Sequence, residues 1–183
     1  MKKVEIVVKG VQSGSAGIAP YNHGEGVQFY GSLGSPGRRL VKYQVPAYEV
    51  YVSGTGPFRA IRFGLRNTGG PPISRRPCDT GLSHFRVCRP TWVPTYSPRS
   101  FQGRSRLGAW RLLPGQDFLI HEGPSPGEYA GSIGCIEIVD GKWGHFLWQI
   151  EDLAGVDCAR LAAAGGLTVI LEATSYPLAI LQS

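Results

Sequence analysis

Apolar and polar residues alternate at the start of the chain. Val4, Ile6 and Val8 stand between Lys3, Glu5 and Lys9, the period of a half-buried β-strand, and residues 1–10 are expected to form one. A Gly/Ser/Pro-rich stretch follows to about Gly37. The run "LVKYQVPAYEVYVSGTGPFRAIRFGLRN" predicts two or three more strands, with Ile61, Phe63 and Leu65 alternating against Arg62, Gly64 and Arg66, and "SGTG" as a turn. "LGAWRLL", "DFLIH" and "IEIV" are short strand candidates, and "LTVILEA", branched and apolar, is a clear strand. The period changes only late in the chain. In "KWGHFLWQIEDLAG", Phe146, Leu147, Ile150 and Leu153 recur at helical spacing, and a second short helix in "DCARLAAA" stops at Gly165 and Gly166. The expected fold is mainly β with one or two helices, in the α+β class.

Composition agrees with that pattern, since Gly 26 and Pro 14 in 183 residues favour short strands and many turns. The length suits one domain. Residues 1–40 are read as an N-terminal strand and Gly/Ser-rich segment of that domain, and 41–183 as its main body with an Arg/Pro-rich insertion at about 67–103. No run approaches the roughly 18 continuous apolar residues of a membrane span. Glu5 and Lys9 interrupt the first apolar run, so no classical signal peptide is expected.

Charge adds a second feature. Net charge is +6, and between Arg59 and Arg111 lie eleven arginines, no lysine and a single acid, Asp79. Such a segment suits either an anionic partner or a solvated surface whose carboxylates come from elsewhere in the fold. A nucleic-acid-binding module would use these arginines with Trp92, Tyr96 and Phe101 as stacking groups.

The chemistry concentrates in "FLIHEGPSPGEYAGSIGCIEIVD". His121 closes one apolar run, Cys135 opens the next, and thirteen residues rich in Gly, Pro and Ser separate them. A thiol is a nucleophile only as thiolate, and an adjacent imidazole can remove its proton. Gly134 lets the backbone turn tightly before the cysteine, and the amides around it are candidates for an oxyanion site. His121, Glu122 and Cys135 are also a conceivable zinc set, but no fourth ligand is evident, so neither metal nor cofactor is expected. His23, His84 and His145 have no comparable setting, and Cys158 reads as a small buried hydrophobe. Cys78 and Cys88, both in the Pro-rich segment, are candidates for a disulfide in an oxidising compartment.

The run "IHEG…SIGCIEI" resembles the L,D-transpeptidase catalytic domain, the YkuD-like fold, most strongly over about residues 103 to 173. That resemblance implies a β-rich catalytic domain, a YkuD-like β-sandwich, over 41–183. It makes Cys135 the nucleophile and His121 the base, gives Glu122 the role of orienting the ring through its backbone carbonyl, and matches Ser132 and Gly134 to the small positions of the signature. Arg104 and Arg106 are candidates to hold a substrate carboxylate. The implied activity is cleavage of the L,D bond of tetrapeptide stems in peptidoglycan, with a second stem, a D-amino acid or water as acceptor. Two positions depart from the pattern: Ile133 stands where a second histidine is usual, and Glu137 where Arg or Asn is usual. An "SxGC" variant is similar to transpeptidase-like toxins of type VI secretion. By that likeness the chain is made in the cytoplasm and acts in the periplasm of a target bacterium, with secretion components and a cognate immunity protein as partners. A wall-binding pseudoenzyme is the other alternative, and nucleic acid is not an expected partner.

Overall fold

The computed structural model describes residues 1–18, 43–62, 65–67, 75–77, 84–96, 108–116, 118–123, 135–175 and 181–182. These residues are mainly β with two helices. Strands β1 (Val4–Ile18), β2 (Tyr43–Val52) and β3 (Thr55–Ile61) are followed by the short β4 (Leu65–Asn67), β5 (Arg75–Pro77), β6 (Arg86–Cys88), β7 (Thr91–Val93) and β8 (Ala109–Arg111). Then come β9 (Leu119–Glu122), β10 (Ile136–Ile138), α1 (Trp143–Ala154), α2 (Cys158–Ala163), β11 (Leu167–Leu171) and β12 (Leu181–Gln182). One sheet runs in the order β6-β11-β1-β2-β3-β10-β9-β8-β7, with β12 beside β2, while β4 and β5 pair separately.

The alternation at the start of the chain has its expected cause. Val4, Ile6 and Val8 are buried, and β1 lies between β11, which it pairs in parallel, and β2. The strand is longer than residues 1–10. It continues through the Gly/Ser-rich residues to Ile18, pairing with β2 across register shifts between Val8 and Gly14. Small residues carry no strong period of their own, and the neighbouring strand supplies the pairing. Ser53 and Gly54, with φ of 46° and 83°, turn the chain between β2 and β3, as "SGTG" predicts.

Part of the segment expected as an irregular insertion is sheet. β6 adds to β11 at one end and β7 to β8 at the other. Three-residue strands are too short to announce themselves by period, and their partners define them. Helix α1 buries Trp143, Phe146, Leu147, Ile150 and Ala154 against one face of the sheet. It ends on Gly155 in the left-handed conformation, and Asp157 caps α2 by accepting the Arg160 N–H at 2.8 Å. The core below the helices takes Ile120, Ile136 and Ile138 from β9 and β10. The alternate residues of those two strands therefore face the other way, and they are the ones of interest.

Candidate active site

β9 and β10 run side by side in parallel, with Ile120 opposite Ile136, His121 opposite Glu137 and Glu122 opposite Ile138. Directly opposed residues share a face, and so do residues two apart on one strand. His121, Glu137 and Cys135, which immediately precedes β10, thus share the face turned away from the helices. Cys135 is one diagonal step from His121, a separation of about 7–8 Å between backbone positions that a ring can span. Ser132, Gly134 and Ile133 lie outside the described residues, as do Arg104, Arg106, Phe101, Cys78 and His23.

The site is dry. Cys135 is 7% exposed, His121 5% and Glu137 2%, in place of the open cleft expected between nucleophile and base. Cys135 packs with Ala109 and Leu119, and Tyr96 lies against that cluster. The Tyr96 ring also stands 5.1 Å from the His121 ring, centroid to centroid, so one aromatic lies against both the histidine and the cluster that holds Cys135.

The histidine is held by its own strand. Nδ1 donates to the Glu122 carbonyl at 2.7 Å, the contact the resemblance assigns to the residue after the histidine. With the Nδ1 proton so placed, Nε2 carries the lone pair of the neutral ring. Burial pushes the imidazole down to about 4, the bond to the Glu122 carbonyl opposing that shift. Nε2 stands 3.9 Å from Oε1 of Glu137. That distance is the outer limit of an ion pair, and with burial holding the imidazole near 4 the ring is neutral at pH 7. A neutral imidazole beside a thiol is what proton abstraction requires.

No family model, no curated protein and no solved structure matches the chain.

Other candidates fall into structural roles. Cys158 is buried at the start of α2, and Cys88 is a buried thiol in β6. His145 meets the edge of Phe58 on α1, with ring centroids 5.5 Å apart, and His84 is exposed. Among the described residues, no three His, Cys, Asp or Glu side chains gather as a metal site, and no helix is long and apolar enough to cross a membrane. Arg59 and Arg62, from the arginine-rich segment, serve the fold. Arg59 pairs with Asp140 at 2.9 Å, and Arg62, almost wholly buried, donates to the Lys9 and Glu172 carbonyls at 2.9 Å each. Trp92 packs on Trp110 with ring centroids 4.8 Å apart, so two of the three aromatics proposed for stacking on bases have partners within the protein.

Glu137, Tyr96 and Arg111 gain their place beside the pair only from the fold. Glu137 follows Cys135 by two residues, and the period of a strand could have placed it on the same face as the thiol. Tyr96 has no local signal, because strand order alone brings it to His121. Arg111, opposite Leu119 in the β8–β9 pair, joins the same face.

Proposed function

We propose that the chain is a cysteine-dependent acyl-transfer enzyme of the L,D-transpeptidase kind, acting on the L,D bond of tetrapeptide stems in peptidoglycan. The observation that carries the reading is the placement of Cys135 and His121 on one buried face of adjacent parallel strands, with the ring held through Nδ1 by the Glu122 carbonyl. The likeness of "IHEG…SIGCIEI" supplies the substrate class.

In this reaction the Cys135 proton passes to Nε2 of His121, and the thiolate attacks the carbonyl carbon of the L,D bond. Electrons move onto the carbonyl oxygen, where the amides near Gly134 are placed by the resemblance to receive the charge. Collapse breaks the C–N bond, and D-alanine leaves with the proton from His121. An acceptor amine or water then attacks the thioester and restores the thiol. The apolar neighbours Ala109 and Leu119 keep bulk water from the sulfur, which favours a specific acceptor over random hydrolysis. Action in a target periplasm as an antibacterial effector, with an immunity protein as partner, follows from the "SxGC" likeness.

Incubation with purified tetrapeptide muropeptides, followed by mass spectrometry, tests the reading. D-alanine should be released and an acyl adduct should appear on Cys135, while Cys135→Ala gives neither. Intact tetrapeptide in every sample, with native protein present, overturns the assignment and favours a wall-binding pseudoenzyme.

A further inference from the structure

We propose that Glu137 is a positioning residue of the reactive pair, its carboxylate stabilising the imidazolium that His121 becomes when Cys135 gives up its proton. The inference rests on the reading of His121 as base and Cys135 as nucleophile, and adds a third group to it.

The geometry comes from the ladder itself. Glu137 sits directly opposite His121 in the parallel pair, so both side chains leave the sheet on the same side. Oε1 stands 3.9 Å from Nε2, with the side chains 3% and 6% exposed. That separation is too long for a hydrogen bond and well within reach of a strong charge interaction. The lone pair of Nε2 can therefore still receive the thiol proton while the carboxylate acts through its field.

The neighbouring glycine reinforces this. Gly123 donates its N–H to the Ile138 carbonyl at 2.8 Å. A Cβ on Gly123 would lie 2.8 Å from Cβ of Glu137 and 3.0 Å from the Ile138 oxygen. The glycine of "IHEG" thus leaves the space into which the first carbon of the Glu137 side chain fits.

Among the described residues, this face brings the following groups around the pair. On this face Cys135 stands just before β10, β8 contributes Ala109 and Arg111, β3 contributes Ile61, and Tyr96 packs on the histidine ring. Arg59, further along β3, is engaged by Asp140 at 2.9 Å. An imidazolium formed in such a dry place is costly without a counter-charge, and Glu137 is the carboxylate set against it. The step is a proton transfer only: the Sγ proton moves to Nε2, and no electrons change owner.

An opposite charge at this distance shifts a proton equilibrium by about 1–3 pH units, or roughly tenfold or more in thiolate at neutral pH. Iodoacetamide labelling of Cys135, located by mass spectrometry from about pH 5 to pH 10, reads this without a substrate. Glu137→Gln should slow labelling at pH 7 by about tenfold or more and converge on the native rate near pH 10. Glu137→Asp, which retains the charge, should stay within about threefold of native. If Glu137→Gln follows the native profile while His121→Ala is slowed, Glu137 has no such role and the base pair stands. If His121→Ala also follows the native profile, the base pair itself fails. Should Glu137→Gln expose Cys88 and Cys158 to the reagent, and so be unfolded, Glu137→Asp decides. Retained labelling at neutral pH supports the charge, and a loss as deep as that of His121→Ala overturns it.

Discussion

Arg62 and His121 are both ionisable, both almost fully buried, and sit within one sheet, yet they do opposite things with their polar atoms. The Arg62 guanidinium reaches two backbone carbonyls, of Lys9 and Glu172, and lies 5.4 Å from the Tyr48 ring centre. Burial lowers it to about 10, with Tyr48 and Glu172 opposing, so it stays charged at pH 7 and ties the end of β3 to β1 and to the residue after β11. His121 makes one backbone bond, is neutral at pH 7, and turns its second nitrogen toward a carboxylate. A buried charge surrounded by fixed carbonyls is architecture. A buried neutral base that faces a carboxylate, with a thiol on the same sheet face, is equipped for chemistry.

The sharpest way to break this contrast is to remove the histidine. His121→Ala should cost about 10²–10⁴-fold in tetrapeptide turnover, recovering in part at high pH where thiolate forms unaided. Progress curves across pH measure it, and unchanged turnover would make His121 as structural as Arg62. Next in size is Arg62→Leu, which leaves two carbonyls without their donor and should lower stability by roughly 2–4 kcal/mol in urea titration. The labelling profile of Cys135 should not move in that variant.

The pH dependence of stability separates the two groups again. His121 titrates near 6.5 when unfolded and near 4 when folded, so above about 6.5 both states are neutral and it adds no slope. As pH falls from about 6.5 to about 4, only the unfolded state takes up the proton, and stability drops by on the order of 3 kcal/mol. Urea midpoints across that window should show the loss, and His121→Phe should remove it. The smallest expected effect is Gly123→Ala. Its methyl would press on Glu137 and the Ile138 carbonyl, costing about 1–3 kcal/mol and shifting the Cys135 labelling profile with it. A stability loss with an unmoved profile would show that the glycine serves packing alone.

The division between legible and hidden features follows the same physics. Val4, Ile6 and Val8, the "SGTG" turn, α1 and β11 are local statements of period or turn chemistry, and they appear where expected. Residues 11–18, 86–88 and 91–93 carry no such period, and become strands because a neighbour offers hydrogen bonds. At the site, His121 and Cys135 stood out as residue types at the ends of a loop. The opposition of Glu137 to His121 depends on register, which no local pattern states. Tyr96 reaches the histidine only through the order β7-β8-β9, a fact of topology.

One pairing also bears on how the protein comes into being. Val4 through Val8 lie in parallel against Leu167 through Leu171, so the first strand waits for almost the last one before its inner edge is closed. Non-local pairing of this kind is slow, because a long loop must be ordered before its contacts form. During synthesis the apolar residues of β1 stay without that partner until residue 171 has left the ribosome. Translation that stalls between β10 and β11 should therefore yield an aggregating fragment instead of a partly folded domain.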